Sequence, residues 1–292
     1  VADRFEVIEA GQSGRRRWVG LVVVVAVVLV PVVGLIASRE PEPRPPEAAS
    51  APIRSLTRVE SPPNVLQVPP RAKGGDELIE VVFPHGVRAE VRYPAELDLA
   101  GMGSRPFQGV WIEGTYRQFV APYGGEIEVT RGGEPIRSYA PHVTLWPRQA
   151  GSGANGQVLL FAFGKWRLAM YERGQGLTFD QRIAVARQVS GRVTKDGYLV
   201  LSDQGTVRLA EPGDTVQDNP VGPQLWFGGS VREMVALVPT PGCKKNARMP
   251  FVIDGRGSPA ESVCRGDVQV AVTGPPRFRK TAIDGIRVTL NR

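Results

Sequence analysis

Hydrophobic patterning divides the chain into three regimes. From Trp18 to Ala37, twenty residues run without a charge or a strongly polar side chain. That is enough for about 30 Å of helix, the thickness of a bilayer core, and it predicts one transmembrane helix over 18–37 whose partner is the lipid bilayer. Pro31 would break a helix in water, but lipid gives the backbone no other partners, so a kinked spanning helix is expected. Arg15, Arg16 and Arg17 precede the run, and positive charge resists translocation. Residues 1–17 are therefore expected to be a cytoplasmic tail, with the bulk of the chain outside the plasma membrane. Counting Arg4 on one side and Arg39, Arg44 and Arg54 on the other leaves a bias of four cations against three. A cleaved signal peptide is the rival, but the apolar run is long for one and Leu35 stands where a small residue should precede the cut.

The second regime, residues 38–75, holds nine prolines, among them Pro45-Pro46, Pro62-Pro63 and Pro69-Pro70, mixed with Arg and Glu. Such a segment is expected to be an extended linker, rising roughly 3 Å per residue where polyproline II forms.

The third regime alternates. Val87, Ala89, Val91 and Tyr93 fall on one face of a strand and Arg88, Glu90 and Arg92 on the other, and with Leu78 to Phe83 before Pro84-His85-Gly86 they predict a half-buried hairpin. Further strands are expected at 110–113, 115–121, 126–130, 142–146, 157–163 and 166–171, and then at 198–202, 206–210, 224–227, 231–238, 251–254, 267–273 and 286–290. One helix is expected over 178–190. Thr178 and Gln181 form a capping box, Phe179, Ile183, Ala186 and Val189 recur at near-helical spacing, and Gly191 can close the end. Apolar content of 42% with 34 Gly and 26 Pro also favours many short strands. The expected fold class is mainly β with one short α-helix, a β-rich α+β ectodomain, plus the N-terminal transmembrane helix. The stretch Glu211 to Pro223 is the best internal boundary, separating a β-rich domain over 76–210 from a β-rich C-terminal part over 211–292. Richness in Val, Gly, Pro and Arg suits a GC-rich bacterial genome.

Charge sharpens the picture. The net charge is +7, and residues 240–292 are strongly basic while residues 76–239 are slightly acidic. Lys244, Lys245, Arg248, Arg277, Arg279 and Lys280 are the candidate binding residues, able to attract an anionic envelope polymer, lipid headgroups or an acidic protein surface if they converge. A scattered, solvated set of cations is the plain reading. Cys243 and Cys264 are the two cysteines of the chain. Their even number and extracytoplasmic setting predict a disulfide closing a loop within the C-terminal part.

Catalytic and cofactor chemistry finds little support. Gly151-Ser-Gly-Ala-Asn-Gly156 matches G-x-G-x-x-G, but a strand rather than a helix is expected after it, so it reads as a loop. His85 and His142 each follow proline without a metal-ligand neighbour at useful spacing. Glu96 and Asp98 follow Pro94 in an expected turn, where capping accounts for them. No metal, no cofactor and no catalytic residue is assigned, and nucleic acid is disfavoured by compartment. The functional expectation is a single-pass, membrane-anchored cell-envelope protein with a noncatalytic extracytoplasmic binding domain. The alternatives are an envelope enzyme using a divergent carboxylate pair, or a transmembrane signalling component.

Overall fold

The computed structural model describes residues 64–147, 155–229 and 233–291. The predicted membrane span at 18–37 and the linker as far as residue 63 lie outside the described residues. Among the described residues no helix is long and apolar enough to cross a membrane.

The folded unit is mainly β with short helices. Its strands are β1 (Arg71–Lys73), β2 (Asp76–Val82), β3 (Arg88–Pro94), β4 (Ser104–Ile112), β5 (Thr115–Val120), β6 (Arg137–Ala140), β7 (Val143–Trp146), β8 (Asn155–Phe163), β9 (Trp166–Arg173) and β10 (Val189–Val193). They continue as β11 (Leu199–Asp203), β12 (Val207–Leu209), β13 (Thr215–Val216), β14 (Asn219–Pro220), β15 (Gln224–Gly228), β16 (Met234–Pro239), β17 (Ala260–Arg265), β18 (Val268–Thr273) and β19 (Arg287–Asn291). The helices are α1 (Leu99–Met102), α2 (Glu126–Thr130), α3 (Phe179–Gln188), α4 (Phe251–Asp254) and α5 (Pro276–Gly285).

One sheet runs β17-β18-β16-β15-β4-β5-β9-β8-β7-β6, with β12 beside the far half of β4, and a smaller one runs β1-β2-β3-β19. Alternation sorts the side chains of the large sheet. Val235 and Leu237 of β16, and Leu159 and Phe161 of β8, enter the main core together with Ile79, Val91 and Tyr93 of the small sheet. Their neighbours Met234, Ala236 and Val238 face the other way, into a second cluster with Phe107, Trp226, Ile253 and Ala271. Val158 and Leu160 likewise face a third, with Val129 of α2. The predicted hairpin is present as β2 and β3, with Ala89, Val91 and Tyr93 buried and Arg88, Glu90 and Arg92 exposed.

Several expectations need correction. The linker does not run to residue 75. The Asn64 amide donates to the Pro122 carbonyl at 2.9 Å and the Arg167 carbonyl at 2.7 Å, and it accepts from the Arg167 N–H. Leu66 bridges to Ser104, and β1 pairs with β2. A few side chains with specific partners thus draw proline-rich chain into the fold. The stretch near 211, which left open whether the two β-rich parts are one domain or two, lies inside one sheet, because β4 pairs with β5 on one edge and with both β12 and β15 on the other. Residues 126–130 form α2 rather than a strand, closed by Arg131 in the left-handed region at φ 48°. Five residues are too few to separate the two periods. Residues 251–254 form α4 after Pro250 instead of a strand. The fold also has a helix that the strand and helix pattern missed, α5, opened by Pro276 at a first-turn position where a missing N–H costs nothing.

The predicted helix exists as α3, and both arms of its capping box form. It ends at Gln188, and Gly191 does not close it but lies in β10, where a Cβ would meet the Phe163 ring at 2.6 Å. Val185 and Ala186 bury α3 in the main core, and an ion pair fastens it to the sheet as well. Arg182 donates to both carboxylate oxygens of Glu172 on β9, at 2.7 and 2.6 Å, and to Gln157 at 3.0 Å. The Glu172 side chain is 2% exposed and that of Arg182 is 17% exposed. Removing one member strands a buried charge, which typically costs about 3–5 kcal/mol, whereas an apolar pair of similar volume is far less harmful. Arg182→Ala should therefore lower the unfolding free energy, measured by urea denaturation, by an amount in that range, and Glu172→Leu combined with Arg182→Met should recover most of it.

Candidate binding surfaces

The disulfide region is built from its backbone outward. Cys243 and Cys264 are joined, with Cα atoms 5.7 Å apart, which suits the bond. The segment between β16 and α4 is seated by several further bonds. The Thr240 N–H donates to the Asp267 carbonyl at 2.7 Å, and the Gly242 N–H to Asp267 Oδ1 at 3.0 Å. Gln269, buried in β18, donates its amide to the Ala247 and Arg248 carbonyls, both at 3.2 Å. Ile253 of α4 packs beside Ala271 in the second cluster. Gln269 and Ala271 are two apart on one strand, so residues 243–254 lie along a single face of the sheet. With its buried groups turned down onto β18, the segment turns Lys244, Lys245, Arg248 and Phe251 outward. Phe251 is 64% exposed. Arg248 meets Asp218 at 3.8 Å, while neither lysine forms an ion pair among the described residues.

The other three candidate cations belong to α5, on the opposite face. Ala282 of α5 enters the main core with Val270 and Val272, the residues that alternate with Gln269 and Ala271. Register agrees on β17. Cys264 pairs with Gln269, whereas Glu261, paired with Val272, meets Arg279 at 2.9 Å. Arg279 also donates to the Gly274 carbonyl, and its side chain is 14% exposed, so it fastens α5 to β17. Arg277 pairs with Glu96 at 3.0 Å on the surface, and Lys280 is exposed. The six candidate cations do not converge, and the sheet separates Lys244, Lys245 and Arg248 on one side from Arg277, Arg279 and Lys280 on the other. Nearness in sequence had grouped them. Strand alternation separates them.

A cleft of about 990 Å³ opens between α1, the end of β15 and the start of α5, lined among others by Glu96, Asp98, Tyr123, Glu233, Arg277 and Phe278. Two of its three acids, Glu96 and Asp98, have local work. Glu96 accepts from Arg277 and from Thr281, and Asp98, at φ 47°, accepts from the Gly101 N–H to cap α1. Behind the cleft, Arg105 is buried. It donates to the Ala121 and Gly228 carbonyls, each at 3.0 Å, and lies over the rings of Tyr123 and Trp226. Burial pulls its guanidinium below the usual arginine value.

The histidines are separate. His85 lies in the β2–β3 turn against Phe83, in a second pocket with Pro212, Pro239 and Leu290, and its Nδ1 has no hydrogen-bond partner among the described residues. Burial pushes its pKa below 6.5. His142 packs on Phe163. Among the described residues no three of His, Cys, Asp and Glu come together as a metal-binding group. The G-x-G-x-x-G glycines lead into β8, which begins at Asn155, and residues 151–154 lie outside the described residues. Sequence reasoning overlooked Phe251 as a surface residue. Reading 251–254 as a strand implied that one of its faces would be buried. Compared with protein-family models, with curated proteins and with solved structures, the chain matches none.

Two outcomes follow from these surfaces. Replacing Cys243 and Cys264 by Ser should lower stability by about 3 kcal/mol, the chain-entropy value for a loop of this length, measured against the oxidised parent by chemical unfolding. His85 is held neutral, so the folded state resists protonation more than the unfolded chain does. Its contribution is fully present above pH 6.5 and is lost as the pH falls below that value toward the lower folded pKa. A His85→Gln variant should therefore lose less stability between pH 7 and pH 5 than the parent, and equal pH slopes would contradict the assignment.

Proposed function

We propose that this chain is a single-pass, membrane-anchored bacterial cell-envelope protein whose β-rich domain binds a partner outside the cytoplasm. The observation that carries the reading is the Cys243–Cys264 disulfide within the folded unit. Disulfides persist in oxidising compartments and are rare in the cytosol. The apolar run from Trp18 to Ala37 behind Arg15, Arg16 and Arg17 supports the same topology, with an N-terminal tail inside and the domain outside. A binding role without catalysis is favoured because the cleft acids Glu96 and Asp98 are engaged in fastening α5 and capping α1. Lys244 and Lys245, outside any ion pair among the described residues, favour an anionic partner, an envelope polymer or an acidic surface.

Protease added to intact cells after removal of the wall should digest the domain and leave a short anchored fragment. Peptides spanning Cys243 and Cys264 should be recovered linked from rapidly quenched cells. Protection of the whole domain until lysis, or recovery of both residues as free thiols, would reject the reading.

A further inference from the structure

We infer that the disulfide-stapled segment 243–252 is a contact for an anionic lipid surface, with Lys244 and Lys245 meeting the headgroups and Phe251 entering the boundary beneath them. The inference rests on the membrane-anchored reading above and names the partner of that domain.

Three observations carry it. First, Phe251 is a large apolar side chain left 64% exposed on a unit whose other large aromatic side chains are mostly buried. It stands on a segment fixed from below by the disulfide, by Gln269 and by Ile253. The ring lies beside Gly255, where no side chain stands to cover it, so its exposure is set by the backbone of the segment. Second, Lys244 and Lys245 of the same segment are exposed and outside any ion pair among the described residues. Asp254 is the only acid from 243 to 256; of the cations there, Arg248 meets Asp218 and Arg256 donates to the Gly229 carbonyl, which leaves Lys244 and Lys245 as the pair that faces a ligand. Third, cations beside an exposed aromatic suit one kind of partner best. A soluble polyanion satisfies the lysines but offers nothing apolar to Phe251, whereas an anionic bilayer takes the charges at the headgroups and the ring just below. A tether to the same membrane makes a weak contact sufficient, because the domain meets the surface at high effective concentration. α5 is the internal control, since its cations lie on the opposite face of the sheet.

The test uses the full chain, anchored in nanodiscs of phosphatidylcholine alone or mixed with phosphatidylglycerol, and reads amide hydrogen exchange. Peptides covering 243–252 should exchange more slowly in the anionic discs and lose that protection in high salt, while peptides covering α5 should not differ. Lys244→Gln and Lys245→Gln should each reduce the protection about fivefold, the weight of one cation at an anionic surface. Phe251→Ser should reduce it further without altering exchange at α5, which shows that the fold is kept. Equal exchange in both lipids, or protection that survives in the triple variant, overturns the inference and leaves the anchored reading standing. Protection by free polyglycerol phosphate in neutral discs that is unaffected by Phe251→Ser assigns the surface to a polymer and also overturns it. Failure of the chain to stay with the discs removes the anchored reading, and this inference with it.

Discussion

Backbone hydrogen bonding along β4 is the constraint on which the rest of the unit depends. This strand is buried along nearly all of its nine residues, so each N–H and C=O must find a partner within the protein. One edge is covered by β5. The other is covered in two pieces, β15 opposite Ser104–Phe107 and β12 opposite Val110–Ile112, and the junction is filled by the turn-rich stretch between them. There the Gly109 N–H donates to the Val221 carbonyl at 3.0 Å, the Ala210 N–H donates to the Gly109 carbonyl at 2.8 Å, and the Gln108 amide donates to the Ala210 carbonyl at 2.7 Å. Position 109 must be glycine, because a Cβ would lie 2.2 Å from the Val221 oxygen. The segment that reads as a domain boundary is thus the piece that completes the central strand.

Because β4 is satisfied on both edges, the sheet extends outward from it in both directions, and its two faces become distinct environments. One carries the main core, the small sheet, α3 and α5. The other carries smaller clusters closed by α2 and by the stapled segment leading into α4. Where a side chain acts is decided by odd or even position more than by neighbourhood in the chain. Gln269 and Val270 are adjacent residues serving opposite faces.

The sequence made visible whatever follows a local rule. Alternation over 87–93 placed the inward residues of β3, the Thr178 and Gln181 pair marked the start of α3, and two cysteines in one segment pointed to their bond. Short elements were not legible, because four or five residues such as Glu126–Thr130 or Phe251–Asp254 cannot establish a period, and flanking contacts decide them. Nor were long-range polar contacts legible. Glu172 is buried near the end of its strand, and the approach of Arg182 from α3 makes that burial tolerable. The candidate surface was half legible. The cations could be counted in the sequence, but which face each one occupies follows from the register of β17 and β18, which composition does not encode.

The small sheet has an implication for how the chain assembles. β3 pairs with β2, a few residues before it, and with β19, roughly two hundred residues later, through Arg92 opposite Arg287. During synthesis the hairpin is therefore complete long before its other neighbour exists. In that interval β3 presents an open edge whose inward residues, Ala89, Val91 and Tyr93, have no finished core to enter. Closure of so distant a pair is slow in loop-entropy terms, and an unpaired strand edge is the surface on which other chains can template. The alternating charges Arg88, Glu90 and Arg92 on its outer face are placed where they make such pairing less favourable. A strand read above for its amphipathic face is, on the time axis of folding, a guarded vacancy awaiting the end of the chain.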